Sequence, residues 1–312
     1  MTQAFVFPGQ GSQAVGMGQA LAEAYPEAKQ VFEAVNDALG QDLSALMWNG
    51  PEDELTLTEN AQPALMAVSM AVMRVLEARG LKLSEAASHV AGHSLGEYAA
   101  LTAAGALQLE DTARLLKLRG QAMQRAVPVG VGAMAALLGL DYDAVAQIAE
   151  EAASGDAIVN AANDNANGQV VISGHAEAVE RACALAKERG AKRAMPLPVS
   201  APFHCALMQP AADEMAAALA ETNIAAPVVP VIANVTAEAT SDPEAIRDLL
   251  VAQVTGSVRW RESMIWAAEN GVRELVEFGS GKVLTGMARR IDDRLSAKAL
   301  NTPDDIDAFL AD

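Results

Sequence analysis

A serine between two glycines is the strongest chemical signal in the sequence. Gly92-His93-Ser94-Leu95-Gly96 fits the pattern G-x-S-x-G and lies between a predicted strand at 89–91 and a predicted helix at 95–104. A serine in that context sits on a sharp turn with its hydroxyl exposed, and small neighbours keep the crowded backbone free of clashes. The N–H groups that begin the helix would face an oxyanion formed on an attacked carbonyl. The pattern therefore predicts that Ser94 is a nucleophile.

The same residues also allow a purely structural interpretation. Ser94 is followed three residues later by Glu97, which is the spacing of a helix capping box. A cap has no use for Gly96, however, which costs a helix roughly 1 kcal/mol relative to alanine. Nor does a cap need Gly92 before the turn. The two glycines favour the nucleophile over the cap.

A serine nucleophile needs a base, and the sequence offers four histidines. His93 adjoins the serine, so its side chain should point away from the serine side chain. His89 lies in an apolar strand and is typical of a core histidine, and His175 falls in the predicted inserted domain. His204 follows residues 200–203, where the chain re-enters the large domain at the edge of a predicted cleft. His204 is the candidate by elimination.

Three other polar positions have competing interpretations. Residues 9–14 fit G-x-G-x-x-A after a strand, but the region about 20 residues on is predicted as helix, so a dinucleotide site lacks its second strand. A tight loop that brings backbone amides to a ligand fits better. Gln62, at the start of an apolar helix, is a buried polar group that needs a partner. Arg119 on the helix predicted at 109–126 would, taken alone, most simply be a solvated arginine.

The order of predicted elements gives the fold class. Short apolar strands alternate with helices in residues 1–127 and again in 199–312, which predicts an α/β domain with a mostly parallel sheet. Residues 128–198 instead follow the order βαββαβ of a ferredoxin-like unit. We therefore expect a discontinuous large domain with an inserted small domain. The helix predicted at 61–79 is expected to be capped by Asn60.

Composition excludes several classes of function. The chain is 51% hydrophobic and carries a formal net charge of −18, which disfavours both nucleic acid and an anionic membrane surface. Its longest apolar stretch, 61–76, is interrupted by Gln62 and Arg74 and is too short to span a bilayer. The first residues do not have the pattern of a signal peptide. Cys183 and Cys205 are too few for a disulfide framework, so we expect a cytoplasmic protein. The scattered histidines predict no metal site.

Several motifs along the chain, taken together, resemble the malonyl-CoA:acyl-carrier-protein transacylase family. The resemblance covers essentially the whole chain in order. It rests on Phe7-Pro8-Gly9-Gln10-Gly11-Ser12-Gln13, Gln62-Pro63-Ala64, Gly92-His93-Ser94-Leu95-Gly96-Glu97-Tyr98, Arg119-Gly120, Phe203-His204 and Gly281-Lys282-Val283-Leu284-Thr285-Gly286. It implies an α/β fold with a hydrolase-like large domain.

The resemblance also implies catalytic roles. Ser94 would be the nucleophile and His204 its general base and acid. The backbone amides of Gln10 and Leu95 would form the oxyanion hole. In place of a triad carboxylate, a main-chain carbonyl would orient the histidine, and Gln253 matches that position.

For the substrate, the resemblance implies that Arg119 pairs with the free carboxylate of a malonyl group and that Gln62 helps to orient it. His93 would line the site, and Phe203 would leave little room for a branched acyl group. The implied reaction is a ping-pong transfer from malonyl-CoA to an acyl carrier protein in fatty-acid biosynthesis, with no external cofactor. A transacylase of a polyketide or malonate decarboxylase system and an acyl-CoA hydrolase remain alternatives. A catalytically silent interaction module would have no need of the serine–histidine pair.

Overall fold

The computed structural model describes residues 2–199 and 201–311, which form two β-sheets and the helices that cover them. The strands are β1 (Thr2–Phe7), β2 (His89–Gly92), β3 (Gly132–Leu138), β4 (Val159–Ala166), β5 (Gln169–His175), β6 (Arg193–Pro196), β7 (Val231–Ile232), β8 (Ala239–Thr240), β9 (Val272–Phe278) and β10 (Ser296–Leu300). The helices of the first part of the chain are α1 (Gln19–Ala24), α2 (Pro26–Leu39), α3 (Leu43–Asn49), α4 (Glu52–Thr56), α5 (Thr58–Ala78), α6 (Leu83–Ala86), α7 (Gly96–Ala103) and α8 (Leu109–Ala126). Those of the second part are α9 (Tyr142–Ala152), α10 (Ala176–Glu188), α11 (Gln209–Ala220), α12 (Pro243–Thr255), α13 (Trp260–Glu269), α14 (Val283–Ile291) and α15 (Pro303–Ala311), with a short 3-10 helix at Ala206–Met208.

The large sheet has six strands in the order β10-β9-β1-β2-β7-β8. All neighbouring pairs are parallel except the β7–β8 pair. Four consecutive residues of β1, Ala4 to Phe7, are completely buried, as expected for a strand covered on both faces. The carboxyl ends of β1, β2 and β7 therefore meet at one edge of the sheet, where parallel α/β folds place their ligands.

The small sheet has four antiparallel strands in the order β6-β3-β5-β4. With α9 and α10 this is the strand order and the helix placement of the ferredoxin-like unit predicted from the sequence. The α/β fold class and its two sheets are confirmed. The limits at 127/128 and 198/199 stay predictions.

Some local predictions need correction. Helix α5 begins at Thr58 with Leu57 before it, so Asn60 lies inside the first turn and donates to the Glu54 carbonyl at 2.9 Å instead of capping. Helices α3, α4 and α6 and strands β8 and β10 were not predicted from the sequence. Within the described ranges, no helix is both long and apolar enough to cross a membrane.

Candidate active site

Ser94 lies on the tight turn that joins β2 to α7. Its φ of +54° is in the left-handed region, which side chains other than glycine rarely adopt. A Cβ on Gly92 would come within 1.9 Å of the Gly96 carbonyl, and a Cβ on Gly96 would come within 2.2 Å of the Phe7 oxygen. The capping box is not formed, because no side chain caps α7 and Glu97 bonds elsewhere. The glycines serve the turn and not a helix cap.

Ser94 and His204 form a hydrogen-bonded pair in a buried position. The Ser94 Oγ lies 2.7 Å from His204 Nε2, and His204 Nδ1 lies 2.9 Å from the main-chain oxygen of Gln253. Since a carbonyl oxygen only accepts, Nδ1 carries the proton and Nε2 is free to accept the serine proton. Burial, followed by the nearby Arg119 charge, lowers the pKa of His204 to about 3. The imidazole is therefore neutral and oriented as a base.

Arg119 is a buried guanidinium, so the prediction of a solvated arginine is wrong. Its Nη1 donates to Gln62 Oε1 at 2.7 Å, and its Nη2 donates to Gln253 Oε1 at 2.8 Å and lies 3.3 Å from the Ser94 Oγ. The Gln62 amide nitrogen donates to Thr58 Oγ1, which leaves its oxygen facing the arginine. Among the residues described, no carboxylate lies within ion-pair distance of this guanidinium. Burial lowers the pKa of Arg119.

The arginine reaches this position because α8 packs unusually close to α5. A Cβ on Gly120 would lie 2.4 Å from the Glu59 Cα, so only glycine permits the approach. Arg119 precedes Gly120 on α8, and at this close approach its Nη1 reaches Gln62 on α5.

These residues surround a cavity of about 310 Å³. The predicted site residues that line it are Gln10, Gln62, His93, Ser94, Leu95, Arg119, Phe203 and His204. Gln253 lies behind the cavity, against the histidine and the arginine. No acceptor is recorded within the described part of the chain for the backbone amides of Gln10 and Leu95. Apolar side chains complete the wall, namely Met123, Met134, Val171, Leu197 and Phe203.

The other three histidines are held away from the nucleophile. His93 lines the cavity, but its Nε2 bonds the Asn165 Oδ1 at 2.8 Å and its ring packs 5.8 Å from that of Trp260. Burial lowers the pKa of His93. His89 packs against Trp266 of α13, and His175 accepts from the backbone amide of Ile158. Of the four histidines, His204 is the one within hydrogen-bond distance of the Ser94 Oγ.

Three asparagines at the site were not predicted from the sequence. Asn234 accepts from the Ser94 backbone amide at 2.8 Å and donates to the Gly92 carbonyl at 2.7 Å, so it braces the turn. Asn163 and Asn165 line the cavity from β4. Two patterns in the sequence could have indicated them. Asn234 directly follows a strand of the parallel sheet, where ligands bind. Asn163 and Asn165 are two residues apart in a strand, so their side chains lie on the same face.

A serine on a strained strand-to-helix turn in a mostly parallel sheet, with its hydroxyl bonded to a histidine, is the arrangement typical of α/β enzymes that act on acyl groups. The family model described as the acyl transferase domain matches residues 4–291. No group of three or more His, Cys, Asp or Glu side chains in the described ranges could hold a metal ion.

Individual relatives match over nearly their full lengths. The malonyl CoA-acyl carrier protein transacylase of Escherichia coli strain K12 is 52% identical, with 99% of each chain covered. A crystal structure of acyl-carrier-protein-S-malonyltransferase from Bartonella henselae is 58% identical with a TM-score of 0.97, covering 100% of this chain and 99% of that one. A malonyl-transacylase solved in complex with its type II PKS acyl-carrier protein is 48% identical, with a TM-score of 0.96 and coverage of 100% and 99%. The chain belongs to the malonyl CoA-acyl carrier protein transacylase family, and it is an acyltransferase.

Proposed function

We propose that this enzyme transfers the malonyl group of malonyl-CoA to the phosphopantetheine thiol of an acyl carrier protein in fatty-acid biosynthesis. The observation that carries the proposal is the buried Arg119 guanidinium 3.3 Å from the Ser94 hydroxyl, bonded there to amide oxygens. A desolvated cation beside a nucleophile is stabilised by an acyl group that brings its own carboxylate. The names of the relatives point to the same donor and acceptor.

In the first half-reaction, the Ser94 hydroxyl gives its proton to His204 Nε2 while Oγ attacks the thioester carbonyl. The amides of Gln10 and Leu95 would donate to the oxyanion that forms. The carbon–sulfur bond then breaks, and His204 returns the proton to the sulfur of coenzyme A. What remains is a malonyl ester on Ser94.

The second half-reaction runs in the opposite sense on the carrier protein. The phosphopantetheine thiol gives its proton to His204, and its sulfur attacks the ester carbonyl. The carbon–oxygen bond breaks, and Ser94 recovers its proton from His204. Exchange between a thioester and an ester is neither an oxidation nor a reduction, so no external cofactor is required.

The substrate carboxylate would also strengthen the base. Arg119 is the second cause, after burial, of the lowered pKa of His204. A malonyl carboxylate paired with Arg119 neutralises that charge, which raises the pKa of His204 toward its ordinary value. Acetyl-CoA, which has no carboxylate, leaves the charge in place. Selectivity and base strength would thus come from one ion pair.

Intact-protein mass measurement tests the proposal. We expect malonyl-CoA alone to give a stable gain of one malonyl group, which carrier protein then removes. Rapid release of free malonate would instead indicate a hydrolase, and no adduct with no turnover would indicate an interaction module. The neighbour solved with a type II PKS carrier protein makes polyketide synthesis the second candidate pathway. Comparing discharge by carrier proteins of the two pathways separates these candidates.

A further inference from the structure

A buried carboxylate, Glu97, lies in the first turn of α7 beneath the nucleophile and has no part in the steps above. It is 2% exposed. Its Oε2 accepts from the Gln253 side-chain amide at 2.7 Å and from the Asn234 backbone amide at 3.2 Å. We infer that Glu97 is a positioning residue, which holds the His204 base, the Arg119 guanidinium and the Ser94 turn in register through these two neighbours. The inference rests on the proposed function for what those groups do.

Gln253 is the residue through which Glu97 would reach both functional groups. Its main-chain oxygen accepts from His204, and its side-chain Oε1 accepts from Arg119. Its Nε2 donates to Glu97 and, at 3.0 Å, to the main-chain oxygen of Ser94. An amide can rotate to exchange its oxygen and its nitrogen. With a guanidinium on one side and a carboxylate on the other, only one orientation pairs donor with acceptor at both ends.

Asn234 gives Glu97 a second connection, to the nucleophile itself. The Asn234 side chain holds the backbone on either side of the turn at Gly92 and Ser94. The Asn234 backbone amide in turn donates to Glu97. One carboxylate oxygen therefore contacts both the residue that supports the base and the residue that braces the nucleophile. Loss of that oxygen would loosen both partners of the 2.7 Å Ser94–His204 hydrogen bond.

The charge of Glu97 also suits this role. The charged group that acts on Glu97 from the neighbouring helix α8 is Arg119, which faces the Glu97 carboxylate across the Gln253 amide. Burial raises the pKa of Glu97 to about 7, against the pull of the two amide donors and Arg119. The other titratable groups here are Tyr98, with a pKa raised to about 12, His204, lowered to about 3, and His93, also lowered. Glu97 is thus the group among them that changes charge near neutral pH.

A purely structural role for Glu97 makes a different prediction. An acidic residue in the first turn of a helix stabilises it by interaction with the helix dipole. If that were its whole contribution, its removal would lower the melting temperature, and the rate at which correctly folded enzyme reacts would not change. The two roles are therefore separated by a rate measured on folded protein.

The experiment compares Glu97→Gln and Glu97→Ala with the native enzyme. The matched control is Glu277→Gln, which changes another fully buried carboxylate that accepts from the backbone amides of Leu284 and Thr285. The readout is the rate at which a small uncharged alkyl fluorophosphonate modifies Ser94, followed by intact mass across the neutral pH range. The probe has neither a carboxylate nor a coenzyme A group, so it reports the serine and its base alone. It remains informative even if the natural substrate is not malonyl-CoA.

In the native enzyme we expect the rate of Ser94 modification to fall as the pH drops through about 7, because protonation of Glu97 weakens its hydrogen bond with the Gln253 side-chain amide. His204 stays neutral there, because its pKa is near 3. Glu97→Gln should abolish this inflection, and Glu97→Ala should react about 100-fold more slowly than native, the effect of displacing a reacting group by about 1 Å. The control should keep both the rate and the inflection. The inference would be overturned if the Glu97 variants react at the native rate with an unchanged pH inflection. If the alanine variant does not fold, the pH profile of Glu97→Gln alone still tests the inference.

Discussion

Arg119 Nη2 lies 3.3 Å from Ser94 Oγ, which places a buried cation directly beside the proposed nucleophile. Ser94 lies on the turn before α7 and Arg119 lies in α8, and near each of them two stretches of main chain approach closely at a glycine. In a cavity of about 310 Å³ this proximity limits where the far end of an acyl group can lie. The first prediction follows from that constraint.

Arg119→Ala should reduce kcat/KM for malonyl-CoA by about two to three and a half orders of magnitude. Removing one partner of a buried ion pair leaves the other uncompensated, at roughly 3–5 kcal/mol. Acetyl transfer should be unchanged or faster, because acetyl-CoA has no charge to pair. Steady-state kinetics on both substrates check this, with Arg114→Ala, an exposed arginine of the same helix, as the control. An equal loss on both substrates would show that Arg119 only supports the fold.

Ser94→Ala should abolish the acyl adduct and the transfer, and the variant should still fold, since the Ser94 side chain does not cap α7. Intact mass and circular dichroism measure the two effects. Ser69→Ala is the matched control. Its hydroxyl donates to the buried Phe278 carbonyl at 2.7 Å, so its loss should cost about 1 to 3 kcal/mol of stability while the adduct still forms. Any malonyl adduct on the Ser94→Ala protein would mean that another residue is the nucleophile.

Phe203→Ser should narrow the preference for malonyl over methylmalonyl groups. The Phe203 ring is 8% exposed, lines the cavity and directly precedes His204, so replacing it makes room for an α-methyl branch. We expect a relative gain of about 10-fold for methylmalonyl-CoA, since one methyl group in an apolar pocket is worth about 1–3 kcal/mol. The ratio of kcat/KM for the two substrates is the measurement. An unchanged ratio would place the branch elsewhere in the cavity.

The pH dependence of stability should carry a contribution from His204. Its pKa is lowered from 6.5 to about 3 on folding, so the unfolded chain takes up a proton first as the pH falls. This contribution to stability is complete above about pH 6.5 and is lost progressively down to about pH 3. The measurement is the free energy of unfolding of the native protein and of His204→Asn at a series of pH values. Asparagine tolerates the left-handed φ of +58° at this position, so the difference between the two proteins isolates the contribution of His204. The native protein should lose stability relative to the variant on acidification, and a constant difference would contradict the lowered pKa.

Local sequence patterns predict much of the architecture but only part of the candidate site. Helix α8 has the predicted limits, because its amphipathic repeat is strong and uninterrupted. The same repeat could not show that Arg119 is buried, since that depends on how closely Gly120 approaches α5. Asn234 was missed because its contacts with the backbone at Ser94 and Gly92 join residues that are 140 and 142 positions apart. His204 and Ser94 are 110 positions apart, and no local pattern brings them together.

The two glycines of the serine turn have a consequence for attempts to change the acyl group that this enzyme carries. Any other amino acid at Gly92 places a carbon against main-chain atoms at the start of α7, and any other amino acid at Gly96 places one against the main chain at the end of β1. Mutant libraries that vary these positions would consist largely of inactive clones. Randomisation of the flexible methionines Met123 and Met134, together with Val171 and Leu197, instead changes the shape of the wall without touching the turn. The cavity residues that can be varied are thus different residues from the glycines that fix the serine turn.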